Sequence, residues 1–218
     1  MEMRLSLLVG MFALTQTAMA QEAQGQGQDW SLSTGRTVGE GANVLSGTIG
    51  WPGIEGRFVH GLSSRFDVGG RFAFLYGYTV GVGIAPALTF GSVLKAGLLR
   101  NGMVSLGLEF DPGVGFGFDR SGSFLVHFPL ELQLGVSPSS VVNIVFGTQL
   151  TPTLIVRFNS VFSFAMPVLF GPGVELFLAR DWMVTVAARF GPGVYVERPT
   201  SLVAFSFVAT FGIAYRFE

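Results

Sequence analysis

Residues 123–136 read SFLVHFPLELQLGV, and every even position from Phe124 is apolar: Phe124, Val126, Phe128, Leu130, Leu132, Leu134 and Val136. The odd positions between them include Ser123, His127, Glu131 and Gln133. A period of two is the side-chain period of a β-strand, so one continuous apolar face backs onto a face carrying a histidine, a carboxylate and an amide. The same alternation recurs in SLVAFSFVATFGIAYRFE, where Val203, Phe205, Phe207, Ala209, Phe211, Ile213, Tyr215 and Phe217 oppose Ser206, Thr210 and Arg216. It recurs again in RFDVGGRFAFLYGY, MVSLGLEFDP and VVNIVFGTQL.

Alternation alone also describes a half-buried strand in a soluble sandwich. Composition separates the two. Only 12% of the 218 residues are charged, against about 25% in an ordinary soluble domain, and the mean hydropathy is +0.53. A soluble sheet would have to turn these large uncharged faces to water, whereas lipid accepts them. A tilted strand crosses a bilayer in about 9–11 residues, and a closed barrel is the one β-structure that satisfies every backbone group in hydrocarbon. The charge-free stretches Phe72 to Leu94 and Leu132 to Val156 are long enough for membrane helices. Their glycines and prolines (Gly77, Gly81, Gly83, Pro86, Gly91; Gly135, Pro138, Gly147, Pro152), β-branched and aromatic content and period of two argue for strands instead. The expected fold is therefore all-β, a transmembrane antiparallel up-and-down β-barrel.

The N-terminus reads as an export signal. Arg4 precedes an apolar run from Leu5 to Leu14, and Ala18-Met19-Ala20 places small residues before a cleavage point after residue 20. The run is too short to span a bilayer, which disfavours an anchor helix. Residues 21–29 are a polar lead-in, expected to be disordered, and 30–218 form the barrel. The chain has no cysteine, which removes disulfides and thiolate metal sites. A net charge of −1 without basic runs gives no footprint for nucleic acid. No cofactor motif is present and no cofactor is expected.

Turn signals divide the barrel into ten expected strands near 42–51, 54–60, 66–76, 85–99, 103–118, 123–136, 141–158, 161–179, 182–196 and 201–217. An even number is the rule for such barrels; eight or twelve stay open, and residues 30–38 are an alternative opening strand. Gly61 to Arg65, Arg100-Asn101-Gly102, Ser137 to Ser140 and Arg180-Asp181 make short periplasmic turns, and Asn-Gly is a strong hairpin pair. Gly77 to Ile84, Asp119 to Gly122, Asn159-Ser160 and Glu197 to Ser201 make the outer rim, loops too short for a receptor or adhesin. Phe-Gly-Pro-Gly-Val occurs at 170–174 and 190–194, two copies expected to face each other across the hairpin, with a bulge or glycine kink absorbing the prolines.

The signal peptide, the alternating strands and the ending GIAYRFE resemble small bacterial outer-membrane β-barrel proteins of the OmpA-like or OmpX-like class. In that class the last strand ends in an aromatic residue with apolar residues at alternate positions before it. Phe211, Ile213, Tyr215 and Phe217 fit, displaced by one because Glu218 follows. The resemblance implies a place in the bacterial outer membrane, contact with its lipid, and these four residues as the signal read by the outer-membrane assembly machinery.

The inward charged residues on this reading are Asp67, Arg71, Lys95, Glu109, Asp111, Glu131, Arg157, Glu175, Arg189 and Arg216. Balanced charges in a narrow lumen pair, because an unpaired ion away from bulk water is costly. The leading expectation is a barrel with a narrow, salt-bridged or plugged lumen, a structural or small-solute role and no catalysis. One alternative is a small-molecule transport pore; another is a lipid-acting hydrolase centred on His127. For the hydrolase, Ser123 and Glu131 lie four residues from His127, some 13–14 Å along a strand. They are out of its reach, and a partner such as Glu109 or Asp111 must come from a neighbouring strand. Two distant histidines do not make a metal site.

Overall fold

The computed structural model describes residues 30–77, 86–118, 120, 122–158, 162–197 and 199–218. The expected signal peptide and lead-in and most of the expected outer-rim turns (78–84, Asp119, Ser121 and Asn159-Ser160) lie outside the described residues. The rest is a closed antiparallel barrel of ten strands. They are β1 (Asn43–Trp51), β2 (Gly53–Gly61), β3 (Phe66–Leu75), β4 (Ala87–Asn101), β5 (Val104–Phe110 with Gly113–Gly117) and β6 (Ser123–His127 with Leu130–Ser139). The remaining four are β7 (Val142–Leu150 with Thr153–Arg157), β8 (Phe162–Phe177), β9 (Trp182–Glu197) and β10 (Thr200–Phe217). Each strand pairs with the next, and β10 closes on β1 from Asn43↔Phe217 to Trp51↔Ala209, so no sheet edge is left open.

The side chains alternate as the sequence predicts. Phe128, Leu130, Leu132 and Leu134 are exposed outside while Ser123, His127 and Gln133 are buried inside. The outer face carries cross-strand aromatic pairs that sit directly opposite in register: Phe72 with Phe90, Phe116 with Phe124, and Phe170 with Phe190, at centroid separations of 5.1, 5.5 and 5.3 Å. At the rim beside the Arg180-Asp181 turn, Trp182 and Tyr215 lie 4.7 Å apart and Phe217 stacks on Tyr215, aromatic contacts of the kind found at membrane interfaces. A closed cylinder with an apolar, aromatic-girdled outside and a polar inside is a transmembrane β-barrel.

Three strands are interrupted for two residues each, at Asp111-Pro112, Phe128-Pro129 and Thr151-Pro152. Proline has no N–H to give the ladder. One rung bond survives at each proline, the one its carbonyl accepts: Ser92 N to Pro112 O (3.0 Å), Asp111 N to Pro129 O (2.9 Å), Phe128 N to Pro152 O (2.9 Å) and Thr151 N to Pro167 O (3.2 Å). The four prolines therefore form a diagonal row across β4 to β8, each junction lacking the reciprocal bond. Inward and outward alternation passes through the row unbroken, which is why the sequence pattern shows no gap there.

Four expectations are corrected. Residues 30–38 are not a strand. The Ser137 to Ser140 turn is shorter than expected, because β6 continues through Ser139, with a register shift between Val136 and Ser139. The Glu197 to Ser201 turn is likewise tighter, with β9 reaching Glu197 and β10 starting at Thr200. The two FGPGV copies share only the Phe170↔Phe190 rung, and the β8–β9 register runs through them without a bulge. Glycine does that work. A Cβ at Gly171 would fall 2.1 Å from the Ala188 carbonyl oxygen, and one at Gly191 2.1 Å from that of Val168.

Candidate functional site

Residues 30–42 turn into the barrel at the end that carries the short turns, and they close it. The segment is held by side chains of distant strands. Glu175 of β8, 1% exposed, accepts from the backbone N–H of Leu32 (3.1 Å) and Ser33 (2.8 Å), from Ser31 Oγ, and from Asn143 Nδ2 (2.7 Å). Lys95 Nζ of β4 donates to the Ser31 carbonyl at 2.8 Å, and both carboxylate oxygens of Asp67 lie 3.1 Å from the Val38 N–H. Trp30 Nε1 donates to the Arg180 carbonyl (3.1 Å), and its ring meets Phe177 edge-on at 5.3 Å. Trp30 and Val38 of the plug pack into one apolar cluster with Val44, Val59, Val93 and Met183 of the wall. Gly35 fits into a notch made by the paired Gly97 and Gly107: a Cβ on Gly107 would come within 2.9 Å of Gly35 Cα. Hydrogen-bonded carboxylates and a lysine hold the plug, since each buried polar group left unpaired costs energy.

Above the plug, the middle of the lumen is an ion-pair network. Arg57 of β2 touches Glu55, Glu109 (2.7 Å) and Asp111 (3.0 Å). Arg71 of β3 reaches Glu55 and Asp111, both at 3.4 Å. Gln133 donates to Glu109 and Glu131 at 3.3 Å each, and Arg189 of β9 pairs with Glu131. Four carboxylates and three guanidiniums thus cross from β2 to β9. At the far end Arg157 pairs with Glu197, which also accepts from Ser163 Oγ (2.9 Å) and Tyr195.

The structure thus divides the ten sequence-derived charges among levels. Asp67, Lys95 and Glu175 bind the plug; Arg71, Glu109, Asp111, Glu131 and Arg189 belong to the central network; Arg157 is near the outer rim. Arg216 lies at the plug end, where a Cβ on Gly39 would meet its guanidinium at 3.0 Å. Glu55 and Arg57, central to the network, were missed. Phe211, Ile213, Tyr215 and Phe217 all face outward. His127 is not beside Glu109 or Asp111 in the way the hydrolase reading wants: its Nε2 lies 3.3 Å from Arg71 Nη2, and a guanidinium only donates, so that nitrogen is the acceptor. His60 Nδ1 meets Asn43 Oδ1 at 2.9 Å near the plug end. Among the described residues, no group of three or more His, Cys, Asp or Glu side chains is arranged to hold a metal ion.

A cavity of about 860 Å³ occupies the lumen from Leu32 and Ser33 of the plug to Phe118, Arg120 and Arg157 at the opposite rim. A wall, interior and cavity of this kind define a transmembrane β-barrel. No protein-family model matches the chain, and no curated protein is similar to it in sequence. Among solved structures it is similar to the outer membrane protease OmpT from Escherichia coli, at 11% identity and TM-score 0.48, over 87% of this chain and 100% of that one. It is also similar to OmpT, an outer membrane protein of Vibrio cholerae, at 12% identity and TM-score 0.38, over 89% of this chain and 73% of that one. The KdgM porin, solved with disordered oligogalacturonate, matches at 10% identity and TM-score 0.34, over 81% of this chain and 99% of that one. The expectation of a barrel without catalysis is withdrawn, because a protease and a porin both stand among these similar structures.

Proposed function

We propose that this chain is an integral outer-membrane barrel with a lumen shut at the turn end and bridged by ion pairs, in a structural or small-solute role. The observation that supports it is the fastening of residues 30–42 by Glu175, Lys95 and Asp67, three buried charges on three strands. Above it, the network of Glu55, Arg57, Arg71, Glu109, Asp111, Glu131 and Arg189 pairs its charges with one another, where an open water-filled channel would leave them to solvent and solute. The reading includes export by a signal peptide over residues 1–20, lipid contact through the apolar outer face, and recognition of Phe211, Ile213, Tyr215 and Phe217 by the assembly machinery. A continuous transport pore and a lipid-acting hydrolase centred on His127 each lack an observation of their own that favours them.

Single-channel recording of the refolded barrel in a planar bilayer tests the closed lumen, with heat-modifiable gel mobility as the check on folding. The expected record is silent. Steady conductance steps from the folded wild-type protein would defeat the reading and turn the lumen charges into candidates for a selectivity filter.

A further inference from the structure

The wall of the barrel is short of rungs between β6 and β7. Their paired residues run from Ser123↔Arg157 to His127↔Thr153 and resume at Leu130↔Leu150. In the gap Phe128 faces Pro152 and Pro129 faces Thr151, and one backbone bond crosses it, Phe128 N to Pro152 O at 2.9 Å. In an antiparallel pair the Phe128 carbonyl would accept the N–H of the residue opposite, and Pro152 has none. The neighbouring gaps differ. Between β7 and β8, Thr153 Oγ1 donates to the Thr151 carbonyl (3.3 Å) where Pro167 cannot. Between β5 and β6 the gap opens onto Asp111 and its ion pairs. The β6–β7 gap opens onto uncharged residues, Pro129 and Thr151, both on the cavity wall.

Lipid bathes one side of this gap, and an apolar chamber lies on the other. Phe128 is 40% exposed on the outer face. Inside, Leu125, Ile155 and Ala165 stand on β6, β7 and β8 between the prolines and the outer rim; they belong to one buried apolar cluster and line the cavity. Both axial ends of the chamber are polar. The ion-pair network and the plug lie beneath it, and Arg157 pairs with Glu197 at the mouth, where Arg120 also lines the cavity. An acyl chain of the bilayer that came by the mouth would first have to leave hydrocarbon for water, which is unfavourable in proportion to the apolar surface exposed. Through the gap it passes from hydrocarbon to an apolar wall directly.

We infer that the β6–β7 gap is a side entrance, through which the end of a lipid acyl chain passes from the surrounding bilayer into the lumen and lies against Leu125, Ile155 and Ala165. The polar head of that lipid stays at the membrane surface outside the barrel, so the lumen selects for hydrocarbon alone. A cavity of about 860 Å³ is within the range of small-molecule pockets, roughly 300–1,000 Å³, and accommodates a chain end. The inference goes beyond the proposed function and rests on its plug, which denies the chamber a way through along the barrel axis.

The chain has no cysteine, so one introduced thiol reports on one place. Ala165→Cys puts it on the cavity wall, and Met166→Cys on the lipid side of the same strand. The barrel is folded into phosphatidylcholine liposomes containing a phosphatidylcholine with a maleimide at the tip of one acyl chain, and adducts are counted by mass spectrometry. Both thiols are expected to take up the lipid. Adding Pro129→Ala and Pro152→Ala restores the missing donors and is expected to slow the Ala165→Cys adduct by about tenfold or more. The Met166→Cys adduct, and the reaction of Ala165→Cys with N-ethylmaleimide arriving through water, should not change. A thiol at 165 that reacts with N-ethylmaleimide but not with the lipid, or a lipid adduct indifferent to the two alanines, would overturn the entrance. Leu125→Cys takes the place of Ala165→Cys if the latter fails the gel-mobility check or is closed to N-ethylmaleimide, and both thiols closed to both reagents would overturn it as well. Conductance keeps the two readings apart. Steady steps with lipid adducts intact defeat the closed lumen alone, and a silent bilayer without adducts defeats the entrance alone.

Discussion

Ser31 and Glu175 meet inside the barrel, with Ser31 Oγ 3.0 and 2.8 Å from the two carboxylate oxygens of Glu175. The same Ser31 oxygen accepts the N–H groups of Ser33 (3.1 Å) and Thr34 (2.9 Å). One carboxylate on β8 thereby organises a tight turn in a segment 144 residues earlier in the chain.

Glu175→Ala is expected to free the plug. It strands the N–H group of Leu32 and the amide of Asn143 and leaves Ser33 N–H with Ser31 Oγ alone, at about 1–3 kcal/mol for each buried donor left unpaired. Trypsin should then cut after Arg36 in the folded barrel, and channel steps should appear in a planar bilayer. A plug that stays protease-resistant in this variant would show that Lys95 and Asp67 suffice to hold it.

Arg57→Met is expected to destabilise the barrel by about 3–5 kcal/mol, the usual cost of breaking a buried ion pair from one side, because Glu55, Glu109 and Asp111 all lean on that guanidinium. Urea unfolding from lipid vesicles, followed by tryptophan fluorescence, measures it. Adding Glu109→Gln to the same chain should recover part of the loss, giving a coupling energy of about 0.5–3 kcal/mol in the double-mutant cycle.

Gly171→Val and Gly191→Val are both expected to prevent a native barrel from forming, since each new Cβ would sit 2.1 Å from a carbonyl oxygen of the paired strand. Gly56→Val, at an exposed position with nothing within 4 Å of the added carbon, is expected to fold normally. The folded fraction in heat-modifiable gel mobility compares all three.

Phe170→Arg places a charge at mid-strand on the lipid face, where Phe170 is exposed and pairs with Phe190. A loss of about 2–4 kcal/mol is expected, with a smaller loss for the same change at Phe217 by the end of β10. Equal losses at both positions would argue against a membrane-centred β8.

The barrel itself was legible in the sequence because lipid and lumen impose opposite demands on alternate residues, and that demand continues through the prolines that interrupt β5, β6 and β7. Glu109 and Glu131 were legible for the same reason, each flanked by outward leucines or phenylalanines. Glu55 and Arg57 were not, because Gly56 stands on the outward face between Ile54 and Phe58 and Val59 points inward at 2% exposure; the short strand shows little contrast between its faces. The plug was illegible for a different reason. Residues 30–42 carry no period at all, and their conformation is dictated by Glu175, Lys95 and Asp67, residues whose proximity only the closed barrel creates. Neighbourhoods built by long-range closure leave no local trace.

The diagonal row of Pro112, Pro129, Pro152 and Pro167 bears on how the cylinder yields under load. A barrel resists changes of cross-section through the rungs that tie each stave to the next, and here four successive junctions have one tie where two are usual. The wall is thus creased. Bilayer pressure, or a guest pushing outward from the lumen, deforms it first along that line, and Pro129 and Pro167 border the cavity itself. The crease gives one side of the chamber a compliant panel, while the β9–β10 junction, paired rung by rung from Trp182↔Tyr215 to Glu197↔Thr200, acts as its rigid back.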